Sequence, residues 1–225
     1  MYNSFNIELI QKIRNKFQDI GCAQLNDASQ KYTIPLDPQI INRTNTKKLA
    51  GPVFPVNTEN DMLPGLEALY KAPKGSILFI NNLSPQSEAL AGDIYVLDAV
   101  QRGLGGLVIN GAVRDLDDIR KLDFPTFSRS VTFVSAKTAV KPARSIPEIV
   151  SMASTTIEPG DWIFGDNDGI LLIKRKHLSA VFNGAIVVEK QEIELKRAIQ
   201  DGGNLGDLCG LSDYLAGKGP LKFEV

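Results

Sequence analysis

The stretch GLVINGAVRDLDDIRKLDFPTFSR, Gly106 to Arg129, decides how the rest of the chain is read. GLVI (Gly106–Ile109) is an apolar run of strand length, and Asn110-Gly111 has the composition of a turn. DLDDIRKL (Asp115–Leu122) has helical spacing, and PTFS (Pro125–Ser128) begins another strand. Upstream the pattern repeats, with SILFI (Ser76–Ile80) as a strand and QSEALAGDIYVLDAVQRG (Gln86–Gly103) as a helix. Strands alternating with helices predict βαβ units, because parallel neighbours need a long crossover. In such sheets ligands sit beyond the carboxyl ends of the strands. Arg114 and Asp115 follow GLVI at that end, where a guanidinium beside a carboxylate needs a reason.

Outside this core the N-terminal IELIQKIRNKFQDIG has apolar residues at Ile7, Ile10, Ile13, Phe17 and Ile20, the stripe of an amphipathic helix that Gly21 can end in the left-handed conformation. Residues 35–49 are polar and proline-bearing and read as an extended loop. AGPVFPV (Ala50–Val56) reads as a short strand and DMLPGLEALYKA (Asp61–Ala72) as a helix. Beyond Pro142 the segments IVSMASTTI, DWIFGD and GILLIK read as short antiparallel strands with turns at EPGD and DNDG. A long helix over Leu178–Ile199 follows, and glycines 202, 203, 206 and 210 break up the tail. The chain is read as a single domain over residues 1–225. It has an N-terminal helical segment (1–34), a catalytic core (50–173) and a C-terminal helix and tail (177–225).

Composition narrows the function. With 225 residues, 43% hydrophobic and 23% charged, the chain is an ordinary globular sequence with room for one substantial core. A net charge of −1 gives no basic footprint for nucleic acid, and no apolar run reaches a membrane span. The N-terminus lacks the apolar run of a signal peptide, so the expected location is cytoplasmic. Cys22 and Cys209 are far apart and read as buried small hydrophobes. A single histidine, His177, cannot build a poly-imidazole zinc site and reads as a surface residue at a helix start. The lysines of Thr46-Lys47-Lys48 and of Lys174–Lys176 read as solvated. Chemistry would therefore rest on carboxylates, Arg or Lys, backbone amides and a hard metal ion.

Two elements carry that chemistry. A helix start or break at Gly92 would leave the next amides free to hold an anion, against the bland reading that Gly92 only eases packing. Asp115 could equally be an N-cap, with Asp118 three residues on. DNDG (Asp166–Gly169) superficially resembles a calcium loop, but no glutamate follows at the required spacing, and it reads as a hairpin turn.

The order GPVFPV, PKGSILFINN, GDIY, GLGGLVINGAVRDLDDIRKLDFPTFSR, PGDWIFGDNDGILLI resembles the RraA-like / 4-hydroxy-4-methyl-2-oxoglutarate aldolase family from about Ala50 to Ile173. The resemblance implies an α/β/β/α sandwich of the swivelling-domain type with a mixed sheet and N- and C-terminal helices. It also implies assembly as a homotrimer or homohexamer, with active sites at subunit interfaces and the C-terminal helix and tail at such an interface. The amides of Gly92, Asp93, Ile94 and Tyr95 would hold the substrate carboxylate. Arg114 would contact the keto-acid oxygens, with Asp93 beside it in catalysis, and Asp115 would ligate Mg²⁺ or Mn²⁺. Asp93 and Asp118, with Glu189 or Glu192 of a neighbouring subunit, would hold the ion's waters.

The implied activity is metal-dependent cleavage of a short 2-keto acid to pyruvate through an enolate, with oxaloacetate decarboxylation as a related activity. Two other readings share the family: a non-catalytic protein that inhibits a ribonuclease, and a metal-dependent lyase or tautomerase acting on a sugar-derived keto acid. The sequence departs from the family at Asn110, where many members have Asp, at Ser130, where Gly is usual, and over residues 131–145, which lack the expected pattern of Gly and Pro.

Overall fold

The computed structural model describes residues 5–44, 48–84, 87–138, 145–152 and 155–222. Thr46, Lys47, Gln86 and part of the 131–145 segment therefore lie outside the described residues. The parallel core is β3 (Leu49–Thr58), β4 (Ile77–Asn82), β6 (Gly106–Val113) and β7 (Thr126–Val131), joined by α3 (Met62–Lys71), α4 (Asp93–Gln101) and the short α5 (Leu116–Ile119). An antiparallel set continues from β3 through β10 (Trp162–Asp166), β11 (Gly169–Ile173) and β1 (Thr33–Pro35). At the opposite edge β2 (Ile41–Asn42) pairs antiparallel with β7. The order is β1-β11-β10-β3-β4-β6-β7-β2, with β5 (Ala89–Ala91) beside β6, and β8 (Val150–Met152) forms a separate pair with β9 (Thr155–Ile157).

Alternation along the strands sorts the apolar residues into three layers. Leu78 and Ile80 of β4 and Leu107 and Ile109 of β6 face α3 and α4. Ile77, Phe79 and Val108 point the other way and meet Ile163, Ile170 and Leu172 of β10 and β11. The opposite faces of β10 and β11, with Trp162, Phe164, Leu171 and Ile173, are covered by three helices, α1 (Ile7–Phe17), α2 (Cys22–Ala28) and α6 (Leu178–Gln200). The two halves of the sheet thus face each other with helices outside, which is the α/β/β/α sandwich. β3 makes the switch. Its Leu49–Pro52 half pairs with β10 and its Val53–Thr58 half with β4, and Pro52 sits where the partner changes and a missing N–H is tolerated.

Several expectations are corrected. Residues 89–91 are strand, not helix, and α4 starts only at Asp93. Asn110-Gly111 is no turn. β6 runs through it to Val113 with one extra residue against β7, as a bulge. Gly21 does not end α1 in the left-handed region. α1 stops at Phe17, and Gly21 (φ −125°) begins α2. The loop over residues 35–49 contains β2, and Pro35 itself closes β1. Lys174 is not solvated: its Nζ lies 2.8 Å from Asp161 Oδ2 and 3.1 Å from Glu158 Oε1. Both cysteines are buried and unpaired, and DNDG is the β10–β11 hairpin. His177 is half-buried and stacks on Tyr32.

A candidate active site at the carboxyl end of the parallel strands

β5 positions the site. β4 accompanies β6 as far as Asn81↔Asn110, and β5 then takes its place, with Ala89↔Ala112 and Ala91↔Val113 as partners. The Arg114 amide donates to Ala91 O at 3.0 Å. The residues after each strand, Gly92 and Arg114, are thereby set side by side.

Gly92 is the N-cap of α4, with no side chain to cap it. The first intrahelical bond runs from the Val96 amide to Gly92 O at 3.0 Å, so the amides of Asp93, Ile94 and Tyr95 have no carbonyl partner in their own helix. Together with the helix dipole they form an anion site. The missing side chain at Gly92 is itself a requirement. A Cβ there would collide with Asp115 Oδ2 and lie 3.1 and 3.2 Å from Arg114 Cγ and Nε. The guanidinium and carboxylate therefore sit directly over the start of α4.

Asp115 takes the N-cap position of α5 with its backbone only. Its φ of 59° and ψ of 40° are left-handed, a conformation Asp tolerates better than most residues, and its side chain makes no capping hydrogen bond. Instead Oδ2 lies 3.1 Å from Arg114 Nε, and both side chains are more than a third exposed. The terminal nitrogens of Arg114 make no hydrogen bond among the described residues.

Arg114 and the start of α4 open into a cavity of about 390 Å³ lined by Gly92–Tyr95 and Arg114, with Met62, Leu66 and Leu69 of α3 as its apolar wall, and Asp115 adjoins it through Arg114 and Gly92 without lining it. Tyr95 contributes its amide, not its phenol. The hydroxyl donates to Gly65 O at 2.7 Å, and burial, with Asp98 nearby, pushes its pKa well up. Asp93 lines the cavity and is in the first turn of α4. Asp118 lies outside the cavity lining and pairs with Lys121 at 2.7 Å. Glu189 pairs with Lys16 at 2.9 Å, and Glu192 accepts from Gln24 and Lys196, so both hold α6 to its own subunit's N-terminal helices or to itself. Either would have to give up these bonds to serve a neighbour.

Sequence reading did not find Asp98, Ser135 or the leucine wall. Ser135 reaches the cavity because the chain returns beside β5, where the Ala89 amide donates to Val134 O at 2.7 Å and the Ala136 amide to Ala89 O at 3.0 Å. No local signal announces that return.

The donor set discriminates among metals. Among the described residues no three His, Cys, Asp or Glu side chains cluster as ligands. That disfavours a cation needing a protein cage. One uncapped carboxylate suits a hard ion that keeps most of its waters and takes further oxygens from its substrate, as Mg²⁺ and Mn²⁺ do.

The profile of the RraA-like family (Aldolase/RraA) matches residues 22–172. The chain belongs to the RraA-like family. A protein of Halalkalibacterium halodurans named "Putative 4-hydroxy-4-methyl-2-oxoglutarate aldolase" is 29% identical over 187 residues, covering 83% of this chain and 88% of its own. Protein DlpA of Legionella pneumophila is 34% identical over 135 residues, 60% of this chain but only 22% of its own length.

Among solved structures, an uncharacterized protein from Pseudomonas syringae superposes with a TM-score of 0.75 at 24% identity, covering 88% of this chain and 96% of that one. The RNA-processing inhibitor RraA from Thermus thermophilis gives 0.61 at 22% identity over 67% of this chain and 90% of that one. At these identities the structural likeness shows the shared fold. No helix among the described residues is long and apolar enough to cross a membrane.

Proposed function

We propose that the protein is a divalent-metal-dependent carbon–carbon lyase that releases pyruvate from a 4-hydroxy-2-keto acid, with oxaloacetate decarboxylation as a side activity. One observation carries the reading: free helix amides and a guanidinium line one cavity, and an uncapped carboxylate lies against that guanidinium and over Gly92. The amides of Asp93, Ile94 and Tyr95 bind the substrate carboxylate. Arg114 donates to the C2 oxygen, on which negative charge grows as the C3–C4 bond breaks, and such fixed donors act without reorganising. Asp115 holds the ion, and Asp93 stands at the cavity wall where it can orient water. Mg²⁺ or Mn²⁺, when bound at Asp115, supplies Lewis-acid polarisation of the keto group.

The names of several relatives as 4-hydroxy-4-methyl-2-oxoglutarate aldolases favour this class of reaction. The alternative of a non-catalytic ribonuclease inhibitor draws on the Thermus protein, an RNA-processing inhibitor by name, but it gives the left-handed Asp115 and the open amides no task. The test is pyruvate release from 4-hydroxy-4-methyl-2-oxoglutarate and oxaloacetate, with and without EDTA. Release that depends on added Mg²⁺ or Mn²⁺ supports the proposal. Release indifferent to EDTA, or capture of a ribonuclease with no turnover of any keto acid, contradicts it.

A further inference from the structure

One side chain ties the apolar wall of the cavity to its anion site. Tyr95 supplies one of the free amides at the start of α4, and its ring is buried in the core shared with α3. A buried phenol needs a partner, and this one donates to Gly65 O at 2.7 Å. Among the described residues it is the one hydrogen bond between α3 and α4.

Gly65 sits on α3 with the cavity-lining Met62 one turn before it and Leu69 one turn after. The approach there is close, for a Cβ would meet Ile80 Cδ1 at 3.2 Å and the phenol oxygen at 3.6 Å. Glycine is a poor helix former, so its presence inside α3 gives up helix propensity for that closeness. Whatever else borders a ligand in the assembly, the distance from the amides to α3 is set within one chain, by the ring of Tyr95.

We infer that Tyr95 is a positioning residue for the bond-breaking step and acts through α3. This rests on the lyase reading above. In the cleavage the C3–C4 electron pair stays on C3 as the pyruvate enolate, which takes up a proton from solvent. The C4 hydroxyl gives its proton to solvent and becomes a carbonyl. The pair flows into the enolate only when C3–C4 stands across the plane of the keto group, so alignment governs the rate. The amides and Arg114 hold that plane, while the group beyond C3 turns about C2–C3 until a wall stops it. α3 is such a wall, and the phenol keeps it in place.

The experiment compares the assembled protein with Tyr95→Phe, which keeps the amide and the ring and removes only the hydroxyl. Cleavage of 4-hydroxy-4-methyl-2-oxoglutarate needs the alignment. Exchange of pyruvate methyl protons in deuterium oxide, followed by NMR, uses the same site but involves nothing beyond C3. With Mg²⁺ or Mn²⁺ present, kcat for cleavage is expected to fall about tenfold or more, with KM and the exchange rate each changed by less than about threefold. In the metal-free protein, hydrogen exchange should quicken in α3 and stay slow in β4. Gly65→Ala, which crowds Ile80 and eases α3 outward with the hydroxyl in place, should lower the ratio of cleavage to exchange in the same direction. It decides the matter if Tyr95→Phe does not fold. Unchanged cleavage, unchanged protection of α3, or cleavage and proton exchange falling together overturns the inference and leaves the lyase reading intact. No cleavage by the natural protein overturns both.

Discussion

On the face of the sheet turned toward β10 and β11, three in-register asparagines form a ladder across the ends of the parallel strands. Asn110 Nδ2 donates to Asn81 Oδ1 at 2.7 Å, Asn81 Nδ2 to Asn57 Oδ1 at 2.9 Å, and Asn57 Nδ2 to Glu148 Oε2 at 2.8 Å. At the other end Arg129 donates to Asn110 Oδ1 at 3.3 Å and pairs with Asp37. The chain of amides runs in one direction, from a cation to an anion, and the charged ends fix how each carboxamide points. Its Asn81, Asn110, Arg129 and Asp37 line the larger cavity, about 570 Å³. On the opposite face, in the smaller cavity, the amides after Gly92 lack helical partners and the terminal nitrogens of Arg114 make no hydrogen bond among the described residues.

One polar assembly is hydrogen-bonded from member to member along its length, and the other presents amides and guanidinium nitrogens without such partners. Size alone would point to the ladder's cavity, whereas unmet hydrogen-bonding capacity points to the one proposed as the active site. The bulge at Asn110-Gly111 joins the two, because it ends the pairing with β4 and lets β5 carry Gly92 to Arg114.

This contrast can be broken from either side. Asp115→Asn keeps a residue that tolerates the left-handed backbone but removes the charge. Turnover should lose its response to Mg²⁺ and Mn²⁺ altogether while the melting temperature hardly moves. Arg114→Ala should lower kcat/KM by about 100- to 1000-fold, the usual worth of one oxyanion donor, as read by coupled pyruvate release.

Gly92→Ala is the sharpest probe of the shared geometry. Its φ of −137° suits alanine, so the fold should persist, but the new Cβ displaces Asp115 and Arg114. Activity should fall on the order of 100-fold with little loss of stability. On the ladder's face the pattern inverts. Asn81→Leu removes the acceptor of Asn110 Nδ2 and the donor to Asn57 Oδ1, costing about 1–3 kcal/mol for the Asn110 amide alone. That loss should appear in denaturant unfolding, with the activity per folded molecule largely kept.

The smallest effect lies at Glu192. Burial raises its pKa, but hydrogen bonds from Lys196 and Gln24 outweigh this and hold it below the usual glutamate value. A depressed carboxyl stabilises the fold above its unfolded pKa, and that contribution disappears as pH falls through the lower, folded value. Melting temperatures should decline more steeply in acid for the natural protein than for Glu192→Gln.

How far the sequence could be read follows from the lengths involved. β4, β6 and the helix over Leu178–Gln200 are long enough for periodicity to show, and the position of Arg114-Asp115 after an apolar run marks a strand's carboxyl end. β1, β2 and β5 are two or three residues long and have no period to detect. Ala89–Ala91 is strand only because β6 and the returning residues near Ser135 pair with it. Asn110-Gly111 has turn chemistry, yet tertiary pairing carries the strand through it. The asparagines at 57, 81 and 110 look unrelated in sequence until parallel register aligns them. The helix start at Gly92 is legible as one of two readings. What the sequence could not show is that Asp115 leaves its own helix uncapped.

Helix amides, guanidinium and carboxylate are proposed to act as one ion-dependent keto-acid site, and calorimetric titration with oxalate, a planar mimic of the pyruvate enolate, probes all three together. The expected result is one oxalate per chain, bound only with Mg²⁺ or Mn²⁺ present and lost in Asp115→Asn. Binding that is equally tight in EDTA, or that survives the substitution, would contradict it.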